Sequence, residues 1–138
     1  MKNYTFWLKA ASVLLLLTAC IHSLSFFNDP APANDTEKQL IDLMDNYKMA
    51  LGAGFQPSMT DLFNAMSACF SLLYLFGGLL NLYLLRKKAG ADLLLGVIKI
   101  ETLVYGTTFL VFLCLTFLPP IVLAGLVVVC LAMAWWRV

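Results

Sequence analysis

Glu101 is the residue best placed to do chemistry in this chain of 138 residues. It sits within a long apolar run, and an ionisable group inside a membrane-length segment is costly enough to count as a functional candidate. Tyr105 and Thr108 follow at four and seven residues, on the same helical face. A neutral glutamic acid there donates a hydrogen bond, and an ionised one takes up a proton or holds a cation. The competing reading is structural, because polar side chains also join helices within a membrane.

A second polar set surrounds it in sequence terms. Ser67, Ser71, Tyr74, Gly78 and Asn81 recur at steps of four and three, with Asn64 three residues before. Small and polar residues at that spacing let helices approach closely, and they can also line a polar pocket. Gly77-Gly78 adds a place for a local kink. His22 is the lone histidine, flanked by Thr18 and Ser25 on neighbouring turns. It can hydrogen-bond the second span or serve as a packing residue. The candidate intramembrane polar site is therefore Glu101, Tyr105, His22, Ser71, Tyr74 and Asn64. Lys99 lies two residues from Glu101, so it points nearly the opposite way and reads as a lysine reaching the headgroups.

Other chemistries find no support. Cys20, Cys69, Cys114 and Cys130 fall one per apolar run, with no Cys-x-x-Cys pair for thiol oxidation. The sequence has no phosphate-binding loop, dinucleotide fingerprint or His-Glu-x-x-His zinc motif. No metal site and no cofactor are expected.

The elements that must position these residues follow from composition. The chain is 62% hydrophobic and 12% charged, with a mean hydropathy of +0.86 and a net charge of +1. Soluble domains average near half apolar and a quarter charged. A soluble chain of this size could not cover so much apolar surface. A nucleic-acid binder, a disordered tail and a disulfide-stapled secreted module are excluded on the same grounds. A membrane-spanning helix needs about 20 apolar residues, and four runs qualify: about 6–27, 62–85, 93–118 and 119–136. Leu118-Pro119-Pro120 reads as the tight turn between the last two. The expected fold is all-α, a four-helix transmembrane bundle in a single domain over 1–138.

Charge sets the expected orientation. Lys2, Lys9, Arg86, Lys87, Lys88 and Arg137 share one side if the spans alternate. The opposite side holds Lys38 and Lys48 among Asp29, Asp35, Glu37, Asp42, Asp45 and Asp61. The basic side is cytoplasmic by the positive-inside rule, with both termini on it and Trp135-Trp136 as an interfacial anchor.

The outer loop, 28–60, is too long for a plain connection. After Asn28-Asp29-Pro30 it offers Asn34, Asp35 or Thr36 as an N-cap, with Thr36 and Gln39 spaced as a capping box. Leu40, Met44, Tyr47 and Leu51 then recur at helical spacing, flanked by Ile41 and Leu43. This predicts a short amphipathic helix whose apolar side needs a surface to lie on, and Leu40, Met44 and Tyr47 are its partner-contact candidates. Gly52, Gly54 and Pro57 end it.

Leu17-Thr18-Ala19-Cys20 has the look of a lipobox, in which Cys20 would become the acylated first residue. The apolar run continues through Phe27, which favours an uninterrupted first span.

Ile21-His22-Ser23-Leu24, the outer loop with Met44 and Gly52, the Ser71 region, and Leu118-Pro119-Pro120-Ile121-Val122 together resemble an uncharacterised bacterial family. Its members are small four-span inner-membrane proteins, loosely DoxX-like. The resemblance implies four spans and a bacterial inner membrane. Members tend to carry Gly-His-Thr where this chain has Ile21-His22-Ser23, so no role for His22 carries over.

Three functions follow as expectations. The first is a non-enzymatic accessory or interaction protein that contacts the lipid bilayer and another membrane protein. The second is a site for a small lipophile, a quinone or an isoprenoid, built on Glu101 and used for binding or isomerisation. Helical rise separates Glu101 from His22 by on the order of 13 Å in depth, which weakens a two-residue acid–base mechanism. The third is a proton-coupled small multidrug exporter.

Overall fold

The computed structural model describes residues 4–27 and 31–138. Lys2 and the Asn28-Asp29-Pro30 opening of the loop lie outside the described residues. Among those described there are five α-helices: α1 (Tyr4–Leu24), α2 (Asp35–Asn46), α3 (Met59–Arg86), α4 (Ala91–Leu115) and α5 (Leu118–Arg137). A short 3-10 turn, Ser25–Phe27, extends α1. All but α2 are long and apolar enough to cross a membrane. The all-α expectation with four apolar spans and a short amphipathic helix between the first two is met, and the chain reads as a multi-pass membrane protein.

The helix ends explain where the bounds differ from expectation. α3 begins at Met59 because Ser58 and Asp61 cap it reciprocally. The Asp61 amide donates to Ser58 Oγ at 3.1 Å, and the Ser58 amide donates to Asp61 Oδ2 at 2.9 Å. That is a capping box, with two amides that have no helical acceptor satisfied at once. α4 ends at Leu115, earlier than expected, because the amide and hydroxyl of Thr116 both donate to the Phe112 carbonyl, at 3.0 and 2.9 Å. The turn into α5 is therefore Thr116-Phe117. Pro119 and Pro120 lie within the first turn of α5, where a missing amide costs nothing.

The contacts divide the chain into two compact units. The larger takes α1 through Ala19 together with Leu73–Val138, and the smaller is Cys20–Leu72. In the larger unit, α3 and α4 are antiparallel. Asn81 pairs with Glu101, while Tyr74, seven residues earlier, lies against Tyr105, four residues later. α5 runs back along α4, with Gly125 against Phe109 near one end and Trp135 against Lys99 near the other. Its interior is made of Leu8, Leu15, Ile98, Val127 and Leu131, all fully buried. Leu79, Ile100, Leu103, Leu110 and Val129 are exposed, as lipid-facing positions of a membrane helix are.

The smaller unit is held by caps and polar ties. Asn34 caps α2 by accepting from the Glu37 amide at 2.9 Å, and Glu37 Oε2 accepts from the Ala33 amide at 2.6 Å. The expected Thr36–Gln39 box is replaced by this pair, two residues earlier in register. α2 stops at Asn46, so Tyr47 and Leu51 fall beyond it. The chain there folds back on itself, the Met49 amide donating to the Pro57 carbonyl at 3.0 Å and the Leu51 amide to Phe55 at 3.2 Å. Gly52, Ala53 and Gly54 make the reversal with φ of 90°, 50° and 82°, the left-handed region that glycine enters freely. Lys48 Nζ lies 3.1 Å from Asp61 Oδ2, and Thr60 donates to Asp45.

Candidate functional site

The larger unit concentrates polar side chains in its interior. On α3, Tyr74, Gly77, Gly78 and Asn81 are buried at steps of three, one and three, a single helical face. On α4, Leu94, Ile98, Glu101 and Tyr105 are buried at steps of four, three and four. The two faces meet. Asn81 Nδ2 donates to Glu101 Oε2 at 2.7 Å, with Asn81 fully buried. Tyr105 OH donates to the Leu73 carbonyl at 3.2 Å. The Tyr74 and Tyr105 rings stand 5.4 Å apart at 46°.

Glycine makes this meeting possible. A Cβ on Gly77 would collide with the Tyr105 hydroxyl and stand 3.5 Å from Glu101 Oε1. A Cβ on Gly78 would come within 2.8 Å of the Leu16 side chain and 3.1 Å of the Ser12 carbonyl oxygen of α1. The pair gives close approach from adjacent positions, Gly77 to α4 and Gly78 to α1.

Three buried polar atoms in this unit have no hydrogen-bond partner: Glu101 Oε1, Asn81 Oδ1 and Tyr74 OH. A carboxyl group, an amide oxygen and a phenol together offer both donors and acceptors. A protonated carboxyl or the phenol can donate there, and the amide oxygen can accept. Thr108 takes no part, since its hydroxyl returns to the Val104 carbonyl at 3.0 Å.

The remaining sequence candidates belong to the smaller unit. Ser71 is buried, and its Oγ has no partner. His22 packs edge-on to Phe70 with ring centroids 6.3 Å apart, and its Nε2 is buried without a partner. Asn64 is exposed on α3. Leu40 and Tyr47 are exposed as well, whereas Met44 is half-buried. The half-buried stripe of α2 is Glu37, Ile41 and Met44, rotated from the expected Leu40–Met44–Tyr47 line. Lys99 is exposed, with its ammonium 6.0 Å from the Trp135 ring centre. Cys20, Cys69 and Cys114 are exposed and Cys130 is buried. Among the described residues, no three His, Cys, Asp or Glu side chains gather as metal ligands would.

Asn81 is the site residue that sequence reasoning placed in the stripe but did not join to Glu101. The signal was present: Asn81 lies seven residues after Tyr74, and a short basic turn returns the chain antiparallel. Comparison with protein-family models, curated proteins and solved structures returns no match for this chain.

Proposed function

We propose that the protein is a non-enzymatic accessory or interaction component of a bacterial inner-membrane assembly, with the basic ends of its spans cytoplasmic and the α2 segment outside. The observation that carries this reading is the state of α2. None of its residues is buried, yet its position is secured by the Asn34–Glu37 cap and by the Asp45, Lys48, Ser58, Thr60 and Asp61 ties that follow. Leu40, Leu43, Tyr47, Leu51 and Phe55 are all exposed, beside Asp42 and Asp45. An ordered segment that presents leucines and aromatics alongside carboxylates has the makings of an interface core with a polar rim. Positive-inside charge supports the orientation.

The test compares wild type with Leu40→Asp/Leu43→Asp, both purified from native membranes in mild detergent. A protein that co-purifies stoichiometrically with wild type and is lost from the variant, with helical content unchanged by circular dichroism, is the expected result. An identical set of co-purifying proteins for both would overturn it.

A second reading rests on Glu101 Oε1, Asn81 Oδ1 and Tyr74 OH, buried and unpartnered. It makes the larger unit a binding site for a small lipophile with a polar head. Native mass spectrometry then shows an adduct on wild type that Glu101→Gln and Tyr74→Phe lose. An adduct equally abundant on all three proteins removes these residues from binding.

A further inference from the structure

The larger unit has a strongly uneven charge distribution. Lys9, Arg86, Lys87, Lys88, Lys99 and Arg137 are all exposed. They lie toward one end, where α1 and α4 begin and α3 and α5 finish, as the shared cleft and the Arg137–Trp7 and Lys99–Trp135 contacts establish. Asp92 is the one described carboxylate near that end, since Glu101 is buried and bonded to Asn81. Lys87, Lys99 and Arg137 each stand about 6 Å from an aromatic ring, at 5.8, 6.0 and 5.9 Å from Tyr83, Trp135 and Trp7. Cations beside tyrosine and tryptophan are typical of the headgroup layer.

At this end a cleft of about 240 Å³ is lined by Tyr4, Thr5, Leu85, Lys88, Ala89 and Leu94. That is room for about eight waters, enough for a phosphate group and too little for acyl chains. The lining combines two hydroxyls and an ammonium with leucine and alanine, which suits a group charged at one end and continuous with hydrocarbon at the other. The cleft also flanks the start of α4, whose dipole adds partial positive charge.

Lys88 supplies an independent argument. α3 ends in a Schellman turn, the Ala89 amide donating to the Leu84 carbonyl at 3.0 Å and the Lys88 amide to Leu85 at 3.1 Å. Lys88 occupies the left-handed position of that turn, at φ 52°, where glycine is the usual residue. A side chain there costs conformational energy, and the residue that carries this cost is a lysine that lines the cleft.

We propose that this cleft binds the phosphate headgroup of an anionic phospholipid. The lipid's acyl chains run down the lipid-facing side of α3 and α4. Neighbouring Arg86 and Lys87 add to the attraction. The assignment is independent of any function for α2 or Glu101.

Native mass spectrometry in a zwitterionic detergent tests it, with phosphatidylglycerol and phosphatidylcholine added in parallel. Phosphatidylglycerol adducts should survive activation that strips phosphatidylcholine. Lys88→Gly supplies the residue the turn prefers, so it removes the charge without unfolding the protein. It should weaken phosphatidylglycerol binding roughly fivefold, and Lys88→Gly/Lys87→Gln should do so by a further factor of about five. Equal retention of the two lipids, or undiminished phosphatidylglycerol on Lys88→Gly, would overturn the proposal. Full displacement by millimolar inorganic phosphate would reassign the cleft to a free anion and overturn the lipid assignment too.

Discussion

In the larger unit an amide and a carboxyl group, Asn81 and Glu101, share the interior with Leu8, Leu15 and Leu131; in the smaller unit leucines and aromatics are exposed, and most polar groups join them at the surface. Asn81 and Glu101 bond to each other in the interior, while Asp45, Lys48, Thr60 and Asp61 bond at the surface of the Cys20–Leu72 unit. The difference follows from the two solvents. Hydrocarbon gives no hydrogen bonds, so polar side chains in the spans gain by turning inward, where Asn81 and Glu101 meet. Water competes for every surface bond, so a segment in it is held by many weak ties and by helix caps.

Glycine separates the units in the same way, and it gives the largest effect to test. Gly78 is needed for space, against Leu16 and the Ser12 carbonyl. Gly54 is needed for its φ of 82°, with nothing within 4 Å of where a Cβ would be. Gly78→Leu should therefore destabilise the fold by about 3 kcal/mol through overpacking. Gly54→Asn should cost about 1 kcal/mol or less, because left-handed backbone costs most residues about 1–2 kcal/mol and asparagine enters it more readily than they do. Thermal aggregation in detergent ranks the two. Equal loss of stability in both would mean that the α1–α3 approach is not a tight one.

Next in size is the Asn81–Glu101 bond. Asn81→Leu leaves a buried carboxyl group with neither oxygen partnered and should cost about 1–2 kcal/mol. A double-mutant cycle with Glu101→Gln and Asn81→Leu isolates the pair, with a coupling of about 0.6 kcal/mol and an upper limit near 1.7 kcal/mol. A coupling of zero would mean that the bond does not hold α3 to α4. No comparable coupling is expected between Leu40 and Leu43, which are both exposed.

The spans were legible in the sequence because they depend on one property, apolar length, which each run displays by itself. The burial of Glu101 was legible for the same reason. Its partner was not. Joining Asn81 to Glu101 requires the register of two helices across the Arg86–Gly90 turn, and that register depends on how Tyr74, Gly77 and Tyr105 interlock. The half-buried line of α2, Glu37, Ile41 and Met44, lies about one residue round from Leu40, Met44 and Tyr47. Leu40 and Ile41 are equally apolar, and hydrophobic spacing alone does not say which is half-buried. The Ser58–Asp61 box was written plainly as Ser-x-x-Asp before an apolar run, and the apolar run drew the expected boundary past it.

That box gives the third prediction. Ser58 is buried, and its hydroxyl accepts from the Asp61 amide. Ser58→Ala should lower stability by about 1 kcal/mol. Hydrogen exchange localises the effect: amides in the first turn of α3 should exchange faster, while those around Glu101 in α4 keep their protection. Faster exchange through α4 would mean that the two units unfold as one, which would remove the contrast between them.

The smallest effect is expected at Lys48. Its ammonium lies 3.1 Å from Asp61 Oδ2, but the two side chains are 50% and 58% exposed. Exposed pairs give up much of their attraction to water and salt. Asp61 also accepts from the Ser58 amide, a bond that does not need Lys48. Lys48→Ala should therefore leave Tm unchanged at physiological salt, while Asp61→Ala, which breaks the cap, should lower it. At low ionic strength a small difference between Lys48→Ala and wild type should emerge and fade as salt is added. A salt-independent loss in Lys48→Ala would show that the tie is shielded from solvent. The smaller unit would then share the larger unit's way of holding its charges.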